Sequence, residues 1–330
     1  MKISGMRSSV NRPAAVIAAV VAVVVTAVIG IVLSSSRGAT APSAASVVAA
    51  SDKSASPNYV AMGSSFAAGP GEGPIVDRRC LRTGDNYPNR VADSLGLQLI
   101  DVTCSGSTAA ELVSGPTKNR HHRRPQVEAV NRSTTLVTIT TGGNDVDFVG
   151  RIIAQTCANM RALGLAHCGS GRTPPNGPGV ADYARLERSL VEAVDAIRAR
   201  APKARIMLVD YAPVVAIDSP PCELLPLMPW EVQQESLIAS EMSAVNDRVA
   251  KRTGATHIST AGLSAQHSVC GPLPWVRGFG SKMVYHPNAA GKEGIADLVI
   301  IAQTCANMRA LGLAHCGSGR TPPNGPGVAD

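Results

Sequence analysis

From Asn58 onward, short apolar runs alternate with helix-patterned stretches, and this alternation restricts the fold more than any other feature of the chain. "YVAMG", "LQLIDVTCSG", "TTLVTITTGGND", "ARIMLVDYAP" and "ATHIST" read as five strands. Among them stand "NYPNRVADSLG", closed by Gly96, and "DYARLERSLVEAVDAIRARAP", which puts Leu186, Leu190, Val194 and Ile197 on one face and ends at Pro202. A third helix, "PWEVQQESLIASEMSAVNDRVAKRTG", starts near Pro229 and stops at Gly254, and "HPNAAGKEGIADLVI" is the last. Strands that alternate with helices build a parallel sheet covered on both faces. The expected architecture is therefore a three-layer α/β/α sandwich around a central, mostly parallel five-stranded sheet. Apolar residues are 45% of the chain but aromatics only 3%, so Val, Ala, Leu and Ile must fill its core. In such sheets functional groups gather beyond the C-terminal strand ends.

The chain before Asn58 reads differently. Lys2, Arg7 and Arg12 precede twenty uncharged, almost wholly apolar residues, Ala14 to Leu33. That is the pattern of an export signal, and the stretch is long enough to span a bilayer. Ala39-Thr40-Ala41 is a small-residue cleavage site. Residues 1–41 are read as a cleaved signal or a retained anchor, with 14–33 the means of membrane association, and 42–57 as a flexible Ser/Ala/Pro linker. Either way the domain belongs outside the cytoplasm, secreted or held at the envelope. The net charge is +7, but the one dense basic run, "RHHRR" at Arg120 to Arg124, reads as a solvated loop. No nucleic-acid-binding motif accompanies it.

"IIAQTCANMRALGLAHCGSGRTPPNGPGVAD" occurs at Ile152 to Asp182 and again, unchanged, at Ile300 to Asp330. Two identical copies are too few and too alike for a repeat architecture, which stacks at least three diverged units. The second is read as a recent duplication or an artefact of assembly. The last helix should run briefly into this loop-rich piece, with the rest of 300–330 a tail outside the core. Setting aside Cys305 and Cys316 of the second copy, six of the eight cysteines remain. Six allow fifteen pairings. Sequential pairing, Cys80–Cys104, Cys157–Cys168 and Cys222–Cys270, is the simplest. The extra two would pair together or compete with the first copy. Without a CxxC pair, structural disulfides outrank metal ligation, and no cofactor or metal is expected.

Four stretches at strand ends could combine into chemistry. Gly63-Ser64-Ser65 follows the first strand, Gly106 the second and Asn144 the third, while His286 precedes the last helix. A serine hydroxyl needs a base to take its proton and donors for the oxyanion formed in acyl transfer. Each stretch alone has an ordinary reading as a turn or a cap. Together they lie at one edge of one sheet in the order Ser, Gly, Asn, His. His121, His122, His167, His257 and His267 show no ligand spacing, and Asp210 reads as a strand-end polar residue. Trp230 and Trp275 would cover the core or line an acyl pocket.

In that order the sequence resembles the SGNH hydrolases, the GDSL esterases and lipases. "GSSFAAG" looks like the first block, "SGSTAAEL" the second, "GGND" the third and "HPNAAG" the last, over about Asn58 to Ile300, so that 58–299 is the hydrolase domain. The resemblance implies Ser65 as nucleophile, with Ser64 where the family has Asp. It implies an oxyanion hole of the Ser65 and Gly106 N–H groups and the Asn144 amide, and His286 as general base. A helix beginning at Ser65 would add its dipole. The family usually has Asp three residues before its His; here Met283 stands there, and "GSKMVYH" holds no carboxylate. The implied substitute is the Met283 main-chain carbonyl accepting from His286 Nδ1, with Asp145 or Asp147 the runner-up. The exported six-cysteine pattern looks like the disulfide-bonded secreted branch, which supports the sequential pairing.

The expectation is thus an exported, monomeric serine esterase or lipase acting on an acyl ester or lipid through an acyl-Ser65 intermediate. The alternatives are an O-acetyl carbohydrate esterase of the envelope and a catalytically weak envelope-binding module that keeps the fold.

Overall fold

The computed structural model describes residues 58–116, 124–165, 176–217 and 220–311. The export segment, the linker, Cys168, Cys316, most of "RHHRR" and the chain beyond Leu311 lie outside the described residues. The strands show why the sheet is central. In β1 (Asn58–Gly63), Tyr59 and Ala61 enter one apolar cluster while Val60 and Met62 enter another. β5 (Thr134–Thr140) and β6 (Arg205–Val209) divide in the same way: Leu136, Met207 and Val209 on one face, Val137, Ile139, Ile206 and Leu208 on the other. Period-two side chains that are apolar on both faces require a covering layer on each. With β4 (Gln98–Asp101) and β7 (Thr256–Ile258) the sheet has five strands, order β4-β1-β5-β6-β7, and every pairing is parallel.

One face is covered by α2 (Tyr87–Leu95), α4 (Phe148–Ala162) and α8 (Ala289–Ala310), through Val91, Phe148, Ile152, Ile295 and Val299. The other is covered by α5 (Val180–Arg200), which buries Leu186, Leu190, Val194 and Ile197. α6 (Pro229–Thr253) serves both clusters, through Ile238 and Met242 near its start and Val245 and Val249 near its end. Local chemistry sets the helix ends. The Asn86 side chain accepts the Asn89 N–H at the start of α2, and Asn288 accepts that of Gly291 in α8. Gly96 and Gly254, at φ 62° and 71°, close α2 and α6 in the left-handed region.

Two elements depart from the sequence reading. A small antiparallel hairpin, β2 (Ile75–Asp77) and β3 (Arg82–Thr83), follows the first strand. The repeat is also not loop-rich throughout, since Ile152–Ala162 and Ile300–Ala310 are both helical. Its Gly/Pro-rich second half hid a helix-forming first half. The two copies meet different surroundings: Ile152 and Ala154 are buried, whereas Ile300 and Ala302 only pack against the edge of the core. Cys157 and Cys305 are each disulfide-bonded, but their expected partners are outside the described residues. Cys80–Cys104 and Cys222–Cys270 are bonded as the sequential pairing has them. Trp275 is buried over Gly291 and Gly294, and Trp230 is 62% exposed.

Candidate functional site

β1 ends against β5 so closely that only glycine fits at residue 63. A Cβ there would lie 2.2 Å from the Thr140 carbonyl oxygen, and its φ is +134°. The chain turns, Ser64 N–H donates to that oxygen at 2.9 Å, and Ser65 begins α1 (Ser65–Ala68). α1 is a single turn closed by Gly69, so the expected dipole reduces to a few local N–H groups. The two serines separate here. Ser64 is fully buried, its Oγ 2.7 Å from the Tyr211 hydroxyl, while Ser65 is half-buried with its Oγ 2.9 Å from His286 Nε2.

His286 is held on its other nitrogen. Nδ1 lies 2.9 Å from the Val284 carbonyl oxygen. A carbonyl only accepts, so Nδ1 carries the proton and Nε2 presents its lone pair to Ser65 Oγ–H. This corrects the Met283 expectation. The Met283 carbonyl accepts the His286 main-chain N–H at 3.2 Å instead. The reason is the backbone: Met283 and Tyr285 sit at φ 54° and 60°, and these left-handed residues turn the intervening Val284 carbonyl toward the ring. Burial lowers the imidazole pKa below its ordinary 6.5; the Val284 and Met283 carbonyls oppose that, and the Arg277 cation assists it.

The remaining two blocks meet beside each other. The Cys80–Cys104 bridge and the Cys104 N–H bond to the Gly63 carbonyl, at 3.0 Å, pin the turn that carries Gly106, itself at φ 85°. Asn144 is exposed, and its Nδ2 donates to the Ser107 carbonyl at 2.9 Å, joining the second and third blocks directly. Gln126 grips the Gly63 turn. Its Oε1 accepts the Gly63 N–H at 2.7 Å and its Nε2 donates to the Gly63 carbonyl at 3.1 Å.

The runner-up carboxylates are engaged elsewhere. Asp145 accepts the Ala109 N–H with both oxygens, at 3.1 and 3.0 Å, and burial pushes its pKa up to about 6. Asp147 occupies the N-cap position of α4, at φ 52°. Asp210 is a buried strand-end residue that accepts from His257 at 2.8 Å and from Ser243, Asn246 and the Thr260 N–H. Burial works to raise its pKa, and these donors, His257 first, hold it below the ordinary value.

The sequence reading missed Tyr211. Its hydroxyl bonds Ser64 Oγ and accepts the Gly143 N–H at 3.1 Å, and its ring stacks on Phe66 at 4.0 Å. It thus joins the serine turn to the loop that carries Asn144. The available signal was its place two residues after β6, at the same sheet edge as the four blocks. Tyr211 and Thr141 also wall a cavity of about 330 Å³ lined by Phe148, Val214 and Met242 and by the polar Asp210, Ser243 and Asn246.

The geometry is a serine hydroxyl 2.9 Å from an imidazole nitrogen free to accept its proton, an arrangement able to carry acyl transfer. Comparison with known proteins agrees. Residues 61–293 match the model of the GDSL-like Lipase/Acylhydrolase family. Lipase 2 of Streptomyces coelicolor is 34% identical over 252 residues, covering 73% of this chain and 83% of the relative. A lipase of Streptomyces rimosus is 26% identical over 243 residues, covering 72% and 82%. The crystal structure of phospholipase A1 from Streptomyces albidoflavus NA297 superposes with a TM-score of 0.58 at 23% identity, covering 76% of this chain and 99% of that one.

Proposed function

Since the chain belongs to the GDSL-like lipase/acylhydrolase family and is an ester hydrolase, we propose that Ser65 and His286 form its catalytic dyad and that its substrate is an acyl-lipid ester. The supporting observation is the 2.9 Å contact between Ser65 Oγ and a His286 Nε2 whose tautomer the Val284 carbonyl fixes. His286 takes the hydroxyl proton as Ser65 attacks the ester carbonyl. The oxyanion is received by the Ser65 and Gly106 N–H groups and the Asn144 amide. The imidazolium then gives its Nε2 proton to the leaving alcohol, and water, deprotonated by the same nitrogen, releases the acid. A neutral carbonyl behind Nδ1 orients the ring but does less than a carboxylate to stabilise its charged form.

The relationship to Lipase 2 favours an acyl-lipid ester over a sugar ester. Disulfides fit an oxidising compartment and an exported enzyme. Among the described residues no helix is long and apolar enough to cross a membrane, and the candidate span at 14–33 is outside them. The test is a series of p-nitrophenyl esters of increasing acyl length. The proposal expects rates that rise beyond acetate and vanish in Ser65→Ala and His286→Gln. Activity confined to acetate, or undiminished in either variant, contradicts it.

A further inference from the structure

The proposed nucleophile and base come from opposite ends of the domain, and among the described residues no carboxylate bonds the histidine. Something else must keep a 2.9 Å contact across that distance in sequence. The residues around His286 also carry backbone strain. Met283 and Tyr285, neither a glycine, both have positive φ, so the Val284 carbonyl that orients Nδ1 depends on a conformation the local chain does not favour. Such a segment keeps its shape only when its surroundings over-determine it.

Arg277 supplies that constraint. Its main chain pairs with the histidine segment: Arg277 N–H donates to the His286 carbonyl and Tyr285 N–H to the Arg277 carbonyl, both at 3.0 Å. Its side chain is buried, and Nη1 donates to the carbonyls of Pro287 at 2.5 Å and Pro70 at 3.2 Å. Pro70 directly follows the turn that Gly69 closes behind Ser65. The guanidinium lies against the backbone at Gly71, where an added Cβ would fall 2.6 Å from Cζ. One cation therefore holds the exit from the serine turn, at Pro70, and the residue that follows the histidine, Pro287. Lys292 of α8 reinforces it, donating to the Glu72 carbonyl at 3.0 Å and to Asp85 at 2.8 Å.

Resting on the dyad proposed above, we infer that Arg277 is a positioning residue for the ester hydrolysis, its Nη1 clamping the Ser65 and His286 segments together where the family has a carboxylate. One nitrogen, Nη1, serves both carbonyls, and a lysine ammonium, at the end of a side chain one bond shorter, falls short of that position. The charge has a separate consequence. The charged groups at this junction among the described residues are Arg277, Glu72 at 3.5 Å from its Nε, Lys292 and Asp85. The Arg277 cation acts with burial to disfavour the imidazolium, which keeps His286 a free base at lower pH.

Two variants separate clamp from charge. Arg277→Lys keeps the charge and loses the donor at the Nη1 position, and Arg277→Gln loses both. Rates are expressed per active site titrated with a fluorophosphonate, so that only folded, competent enzyme is counted. In both variants kcat is expected to fall tenfold or more with KM within twofold. The acid limb of the kcat/KM profile should move to higher pH in Arg277→Gln and stay in place in Arg277→Lys. Wild-type kcat per titrated site in Arg277→Lys, or an acid limb unmoved in Arg277→Gln, overturns the inference. Wild-type enzyme that hydrolyses ester without being titrated at Ser65 refutes the dyad itself, a result distinct from either.

Discussion

Replacing Tyr211 by Phe removes one oxygen atom and nothing else, and the structure gives that oxygen two partners. The Gly143 N–H donates to it at 3.1 Å and Ser64 Oγ lies 2.7 Å away. Burial pushes the Tyr211 pKa up to about 12, so the hydroxyl stays neutral through the working range. In Tyr211→Phe, Ser64 retains the Thr140 carbonyl at 3.5 Å as a poor acceptor, but the Gly143 N–H is left bare. An orphaned buried donor costs about 1–3 kcal/mol. Taking about 2 kcal/mol, a domain of this size loses roughly 4–8 °C in Tm. The kinetic effect comes from the neighbours: Gly143 precedes Asn144 and Ser64 precedes Ser65, so both sides of the proposed oxyanion site loosen. A misplacement of about 1 Å at reacting groups costs on the order of 100-fold, which sets the upper end of an expected 10- to 100-fold fall in kcat. The substrate's own binding groups are untouched, so KM should hold. The assay is steady-state hydrolysis of p-nitrophenyl butyrate beside scanning calorimetry, with Ser64→Ala and the double variant completing a cycle. Because both single changes break the same 2.7 Å bond, the double variant should lose less than the sum. Unchanged kcat in Tyr211→Phe with unchanged Tm, or strict additivity with Ser64→Ala, would refute the reasoning.

Other outcomes follow from the same structure. The acid limb of wild-type kcat/KM should inflect below 6.5, because His286 must be neutral to act as base and burial lowers its pKa; an inflection above 6.5 contradicts this. Replacing Cys222 and Cys270 together by Ala opens a link between residues 48 apart, and chemical denaturation should show a loss of about 4 kcal/mol. Ending the chain after Ile300 removes Ala302 from the edge of the core and Gln303, whose oxygens accept from Arg205 at 3.3 Å. A loss of about 1 kcal/mol with kcat unchanged is expected, measured by thermal melting and steady-state assay.

What the sequence disclosed depended on how local the determining chemistry was. Strands such as Thr134–Thr140 announce themselves because apolar residues on both faces leave them no other place, and the helix ends at Gly96 and Gly254 follow from single residues. The helix over Phe148–Ala162 was hidden because the Pro- and Gly-rich half of the repeat coloured the reading of the whole. At the site, residue types and order are visible in the four blocks. The acceptor behind His286 is not, because counting three residues back assumes a regular turn, and the left-handed Met283 and Tyr285 put Val284 there instead. Tyr211, Gln126 and Arg277 act through contacts 63 to 207 residues away in the chain, and no local pattern carries that information.

The claim on which the account turns is that one hydroxyl of the adjacent pair is the nucleophile. Ser64 is buried against Tyr211, and Ser65 faces the imidazole. Reaction with a fluorophosphonate at neutral pH, followed by peptide mapping in a mass spectrometer, reads this directly. The account predicts a single adduct on Ser65, formed in Ser64→Ala and absent in His286→Gln. An adduct on Ser64, or none on an enzyme that still hydrolyses ester, would contradict it.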